Sequence, residues 1–192
     1  FTSDPSAQLA IIGTNGTLRT INLAQAVGYG SGSPVFSLAA GSYTLAVTST
    51  SSTVAPAYGF SLYDMSTAQA LSAGTTASGV LQPNQSVAAY TVAITAGSWL
   101  RVVTTRDSQG YADQILVLDP NGKPLAPPQP YYNGTATFQI AATGTYTILF
   151  EGVNYYYYGQ VSSVNYTLTA FVDPAPVPVA VGAATSALLA DS

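Results

Sequence analysis

The sequence predicts an all-β protein, an antiparallel β-sandwich of jelly-roll type. Thr, Val, Ile and Tyr fill its periodic stretches, and these residues suit a pleated, half-buried surface. Long-chain helix formers are scarce: the 192 residues include one Glu, one Lys and one Met. Apolar and polar residues alternate between Gly, Pro and Asn-Gly turn signals, the period of a strand with one covered face.

The predicted strands follow in order. Gln8–Ile12 is a short apolar run before an Asn15-Gly16 turn. Val35–Leu38 leads to Ala39-Ala40-Gly41, and Ser42–Thr48 then alternates with Tyr43, Leu45 and Val47 on one face. Tyr58–Tyr63 alternates again. The polar stretch Ser66–Gly79 holds at most one helical turn, over Ser66–Leu71. Ser86–Thr95 sets Ala88, Tyr90, Val92 and Ile94 against Val87, Ala89, Thr91 and Ala93. After Ala96-Gly97, Ser98–Thr105 sets Leu100, Val102 and Thr104 against Trp99, Arg101 and Val103. Gln114–Leu118 is almost continuously apolar, as a strand covered on both faces would be. Asp119-Pro120-Asn121-Gly122 is a turn, and the Pro-rich span Pro124–Pro130 is placed outside any sheet. Thr135–Ile140, Thr145–Glu151 and Asn165–Val172 complete the set. From Asp173 onward, Pro174, Pro176 and Pro178 mark an extended linker, and the last residues are a candidate added strand.

Composition excludes several function classes. Eight acidic and four basic side chains leave a net charge of −4, and charged residues are only 6% of the chain, against roughly 25% in an ordinary soluble domain. With no His and no Cys there is no disulfide, thiolate nucleophile, imidazole base or ordinary zinc site. Four basic residues are too few for a nucleic-acid face. No apolar stretch approaches the roughly 20 residues of a membrane helix. A weakly charged, hydroxyl- and amide-rich surface fits secreted and cell-surface proteins whose neighbours lie close together. The start at Phe1 predicts a processed product or a piece of a longer chain.

The sequence also resembles itself. Gln8-Leu9-Ala10-Ile11-Ile12 matches Gln114-Ile115-Leu116-Val117-Leu118, each followed by Asn-Gly. Phe36–Ala40 matches Phe138–Ala142, Gly41–Leu45 matches Gly144–Ile148, and Phe60-Ser61-Leu62 matches Tyr166-Thr167-Leu168. The offset is 106 at the first and last anchors (114 − 8 and 166 − 60) and 103 at Tyr43 and Tyr146 (146 − 43). Ordered anchors at a nearly fixed period indicate two copies of one unit. The predicted organisation is a partial repeat over 1–70, a complete sandwich over 71–172, and a tail over 173–192. Nothing before Gln8 corresponds to Ser86–Thr105, so the first unit lacks two strands and must obtain them elsewhere. They come from upstream sequence, from a neighbouring molecule by strand addition, or from pairing within the chain. The preferred donor is Val177–Ala190, and the expected acceptor is an open edge near Gln8–Ile12.

The second copy resembles the bacterial pre-peptidase C-terminal domain. The resemblance runs through Gly79-Val80-Leu81, Tyr90-Thr91-Val92, Ala96–Leu100, Ile115–Gly122, Phe138, Gly144–Thr147 and Asn165–Thr169. It covers about half the chain well and residues 8–65 in part. It implies a non-catalytic β-sandwich of secreted peptidases, collagen-binding segments or large surface proteins. Some members bind calcium, but this chain lacks their acidic density.

Candidate sites are few. Asp107, Asp113 and Asp119 are the candidate calcium ligands, although calcium normally takes 6–8 oxygens and Asp119 also suits capping of its own turn. Lys123 sits at a loop tip and makes a poor partner for a Ser nucleophile. The candidate binding residues are Tyr131, Tyr132, Tyr155, Tyr156, Tyr157 and Tyr158. Their rings offer flat apolar faces with polar tips, suited to glycans or another protein; packing as a lid over the core is the competing role. Four Asn-x-Ser/Thr sequons, at Asn15, Asn84, Asn133 and Asn165, are acceptors only in a eukaryotic source. The expectation is a non-enzymatic, extracellular structural module of a bacterial surface protein, sheath or filament. Its partners would be copies of itself or flanking domains, with no cofactor. A tyrosine-based carbohydrate- or matrix-binding adhesin and an accessory domain of a secreted peptidase are the alternatives.

Overall fold

A computed structural model describes residues 6–23, 35–51, 58, 62–81, 87–107, 113–127, 129–131, 134–152 and 163–176, with the backbone alone at 113 and 129–131. The described residues form twelve strands: β1 (Ala7–Gly13), β2 (Gly16–Asn22), β3 (Thr44–Ser49), β4 (Gln69–Ala70), β5 (Thr76–Leu81), β6 (Val87–Ile94), β7 (Trp99–Arg106), β8 (Asp113–Leu118), β9 (Gln129–Tyr131), β10 (Thr135–Gln139), β11 (Gly144–Gly152) and β12 (Val164–Asp173). They form a three-stranded sheet ordered β2-β1-β3, a four-stranded sheet ordered β10-β7-β12-β5, and a five-stranded sheet ordered β4-β6-β11-β8-β9. All pairings are antiparallel except the short β4–β6 contact. The all-β sandwich expected from the alternation is the observed class.

The four- and five-stranded sheets enclose the main core. From the five-stranded sheet come Tyr90, Val92, Ile94, Ile115, Val117, Tyr146, Ile148 and Phe150, all buried. Leu100, Val102, Phe138, Tyr166, Leu168 and Ala170 answer from the four-stranded sheet. These are the faces that a two-residue period assigns on β6 and β7. The outer face of the five-stranded sheet carries a second cluster, Ala89, Leu116, Leu118 and Leu149, on which Val35, Met65 and Ala68 pack. Gln114–Leu118 is therefore buried on both faces, as its continuous apolar run predicts.

Close approach fixes the register at one edge. A Cβ on Gly79 of β5 would lie 2.6 Å from the Tyr166 hydroxyl, so only glycine admits the ring there. That hydroxyl is hydrogen-bonded to the Tyr90 hydroxyl at 2.6 Å in the buried core. Burial, reinforced by the bond with Tyr90, pushes the Tyr166 phenol above its usual range. The neutral phenol is thus the folded form, while unfolded tyrosine ionises near pH 10. This contribution is full below that pH and is lost as the pH rises above it. The urea midpoint should therefore fall more steeply above pH 10 in the native protein than in the Tyr90→Phe/Tyr166→Phe variant. Equal slopes would contradict this.

Some expectations change. The helical turn appears as a 3-10 turn over Met65–Thr67, capped by Asp64, whose carboxylate accepts from the Ser66 N–H at 2.9 Å. That bond, the largest cause, holds the Asp64 carboxyl below its usual range. The Pro-rich span does reach a sheet: Pro130 lies opposite Gln114 in β9, an edge strand, where a missing donor is tolerated. Val35–Leu38 is not a strand, and neither are the described residues Tyr58, Leu62 and Tyr63; the others of Tyr58–Tyr63 lie outside the described residues.

Candidate functional site

The three-stranded sheet has the strand order, directions and register of half the five-stranded one. Across β1 and β3, Ile12 faces Thr44, Ile11 faces Leu45, Ala10 faces Ala46, Leu9 faces Val47 and Gln8 faces Thr48. Across β8 and β11, Leu118 faces Thr147, Val117 faces Ile148, Leu116 faces Leu149, Ile115 faces Phe150 and Gln114 faces Glu151. Adding 106 to each β1 residue and 103 to each β3 residue converts the first ladder into the second, pair by pair. A side-chain latch recurs at the same offset. The Tyr43 hydroxyl donates to the Ala39 carbonyl at 2.6 Å, and the Tyr146 hydroxyl donates to the Ala142 carbonyl at 2.7 Å.

The sheets differ at one edge. In the five-stranded sheet β6 covers the far side of β11, from Gly144 opposite Ile94 to Glu151 opposite Val87. Among the described residues no strand takes that place beside β3. The Thr50 N–H donates to the Ser6 carbonyl at 2.8 Å, which fixes the phase of the β1–β3 ladder. Bonding groups alternate between the two sides of a strand, so Thr44, Ala46 and Thr48 direct theirs at β1. Leu45 and Val47 direct theirs at the open side. The expected acceptor at Gln8–Ile12 is corrected: β1 is the central strand, paired on both sides, and among the described residues the edges of the sheet are β2 and β3, of which β3 lacks the neighbour that β11 has in β6. Chain position misled here, because the first strand in sequence is not the outermost in space.

The same region exposes apolar side chains. Of seven large apolar residues exposed among those described, Leu18, Leu38, Tyr58, Leu62 and Tyr63 precede residue 64. Leu38 and Leu62 have counterparts in the sandwich core. Leu62 is 71% exposed and Leu168, 106 residues on, is 0%. Leu38 is 45% exposed and Ile140, 102 residues on, is 1%. Along β3, Leu45, Ala46 and Val47 are half-buried, whereas Ile148, Leu149 and Phe150 are buried.

Of the predicted site residues, Asp113 and Asp119 are held apart. Asp113 begins β8 and Asp119 follows its end, so roughly 20 Å of extended strand separates them. Asp107 is engaged with Asn165, accepting from its backbone N–H at 3.1 Å and from its side-chain amide. Asp119 caps its own turn: one oxygen accepts from the N–H of Asn121 at 2.8 Å and of Lys123 at 2.9 Å. The Lys123 N–H bond, the largest cause, holds the Asp119 carboxyl below its usual range. The three aspartates therefore form no shared calcium site; the separation along β8 is the reason. Among the described residues no group of three or more His, Cys, Asp or Glu is placed to hold a metal.

Of the six candidate tyrosines, Tyr131 is in the edge strand β9. Tyr132, Tyr155, Tyr156, Tyr157 and Tyr158 lie outside the described residues, as does the expected donor Val177–Ala190. The residues missed by sequence reasoning are those of β3. The signal available was the 103-residue offset, which pairs Ser42–Thr48 with a strand flanked on both sides.

No protein-family model matches the chain, and no curated protein matches it. Among solved structures it is similar to the crystal structure of Aeromonas hydrophila PliG, a periplasmic lysozyme inhibitor of g-type lysozyme. Identity is 15%, over 56% of this chain and 96% of that one, with a TM-score of 0.44. Among the described residues no helix is long and apolar enough to cross a membrane.

Proposed function

We propose that the protein is a non-enzymatic, extracellular structural module of a surface protein, sheath or filament, which assembles by β-strand pairing with neighbouring chains. The observation that carries this reading is the shared register of the two sheets combined with a side of β3 that no strand covers among the described residues. A strand edge with free main-chain groups binds another strand through ladder hydrogen bonds, and neighbouring side-chain positions add selectivity. The exposed Leu38 and Leu62 supply apolar area for a partner to cover. The scarcity of charge, 6% of residues, lets chains approach closely without repulsion. The resemblance of the second unit to pre-peptidase C-terminal domains, and the secreted or cell-surface location it implies, belong to the same proposal.

The test uses proline as an edge blocker. Val47→Pro removes an N–H that faces the open side of β3 and leaves the ladder to β1 intact. The full-length variant should keep its far-ultraviolet circular dichroism and lose assembly in light scattering and electron microscopy. Leu45→Pro, at the neighbouring outward position, is the second variant. Undiminished assembly of folded Val47→Pro and Leu45→Pro chains would overturn the reading.

A further inference from the structure

The strand that completes β3 has a candidate within the chain itself. At an offset of 94, Val181-Gly182-Ala183-Ala184-Thr185-Ser186-Ala187-Leu188 aligns with β6, Val87-Ala88-Ala89-Tyr90-Thr91-Val92-Ala93-Ile94. The alternation decides how the match is distributed. Val87, Ala89, Thr91 and Ala93 on one face recur unchanged as Val181, Ala183, Thr185 and Ala187. The other face becomes Gly182, Ala184, Ser186 and Leu188: the first three are smaller than Ala88, Tyr90 and Val92, and Leu188 matches Ile94 in size, while β3 likewise carries Leu45 and Val47 where β11 carries Ile148 and Phe150. Beyond the strand, Ala96 and Ser98 recur as Ala190 and Ser192.

We infer that residues 181–188 of one chain add antiparallel to β3 of a second copy of the chain, in the place that β6 takes beside β11. This rests on the assembly reading above and names its partner and register. Val87 opposite Glu151 becomes Val181 opposite Thr48, and Ile94 opposite Gly144 becomes Leu188 opposite Gly41. Ala184 then meets Leu45 and Gly182 meets Val47, whose main-chain groups face outward. Ala183 opposite Ala46 and Thr185 opposite Thr44 are the closely spaced, non-hydrogen-bonded pairs. Neither strand carries a charge, so no ion is desolvated when they join.

The exit of the chain favours a second copy over the strand's own molecule. Asp173 ends β12 opposite Trp99, and a Cβ on Gly97 would lie 3.2 Å from Ala175, so the tail leaves the sandwich at its β6–β7 turn. The spacing of Pro174, Pro176 and Pro178 in the sequence favours an extended chain over a tight return turn, which suits a donor that reaches a second copy. Donor and acceptor are different surfaces, so the contact is head-to-tail and propagates as an open filament unless its rotation closes a ring.

The chain has no cysteine, so introduced thiols report without background. Full-length Ala46→Cys and Ala183→Cys variants, mixed and oxidised, should give a disulfide-linked dimer as the main product on a non-reducing gel. Thr44→Cys with Thr185→Cys is the second in-register pair; Ala46→Cys with Thr185→Cys is the mismatched control. Preferential linkage of the mismatched pair would overturn the register. In the Ala46→Cys/Ala183→Cys chain, linkage that stays within single molecules at every concentration would overturn the second-copy assignment. If no pair links while Val47→Pro still blocks assembly, the donor assignment fails and the open-edge reading stands.

Discussion

Deletion of residues 177–192 should leave a folded sandwich that no longer assembles. The truncation point follows from the structure: Pro174–Pro176 continue from β12, and Ala175 packs at Gly97, so the cut spares the described fold. What it removes is the β6-like segment. If that segment is the donor, every chain keeps an acceptor and none can fill it. Light scattering at rising concentration should then report monomer throughout, with an unchanged unfolding midpoint for the sandwich. Adding back a synthetic peptide of residues 177–192 should cap the β3 edge without restoring polymers, because the peptide carries no acceptor of its own. Filaments formed by the truncated chain would defeat the donor assignment.

Phe150→Ala should lower the stability of the sandwich by about 3–5 kcal/mol, the usual cost of truncating a buried aromatic. The ring is fully buried between the two sheets and meets Tyr166 edge-on, with centroids 4.9 Å apart. Its removal opens a cavity that neighbours on two rigid sheets cannot close. Val47 is the informative comparison. It occupies the corresponding position, 103 residues earlier and opposite Leu9, yet it is only half-buried. Val47→Ala should therefore cost well under 1 kcal/mol in the isolated chain. If a partner strand buries the β3 edge as proposed, the difference between the two positions should narrow on assembly. Denaturant unfolding checks both, and a Phe150→Ala chain as stable as the native one would show that the core is not where the structure places it.

Much of the sandwich was legible because its strands obey a two-residue period with a single buried face. The split of Tyr90, Val92 and Ile94 from Ala89 and Thr91 on β6 is of that kind, and Leu100 and Val102 on β7 repeat it. β2 escaped because it is largely exposed and polar, so no apolar alternation marks it; its position depends on the hairpin with β1. β5 escaped for a related reason, its Gly79 being dictated by a tyrosine 87 residues away (166 − 79). The candidate site was legible in its parts and wrong in its arrangement. Offsets of 106 and 103 identify which strands correspond, but spatial order within a sheet is a non-local property, and β1 proved central rather than marginal. The aspartates illustrate the converse: Asp113 and Asp119 are close in sequence, and an extended strand turns that closeness into distance.

If chains assemble through β3 as proposed, the tyrosine latch bears on how tightly the incoming strand is held. Each ring ties the turn ahead of its strand to a carbonyl four residues back, at Tyr43 as at Tyr146. At Tyr43 that restraint acts on the strand that the proposed assembly makes the acceptor. An acceptor already rigid before encounter surrenders little conformational freedom when it is filled, and pre-organisation of this kind raises affinity without adding a single contact.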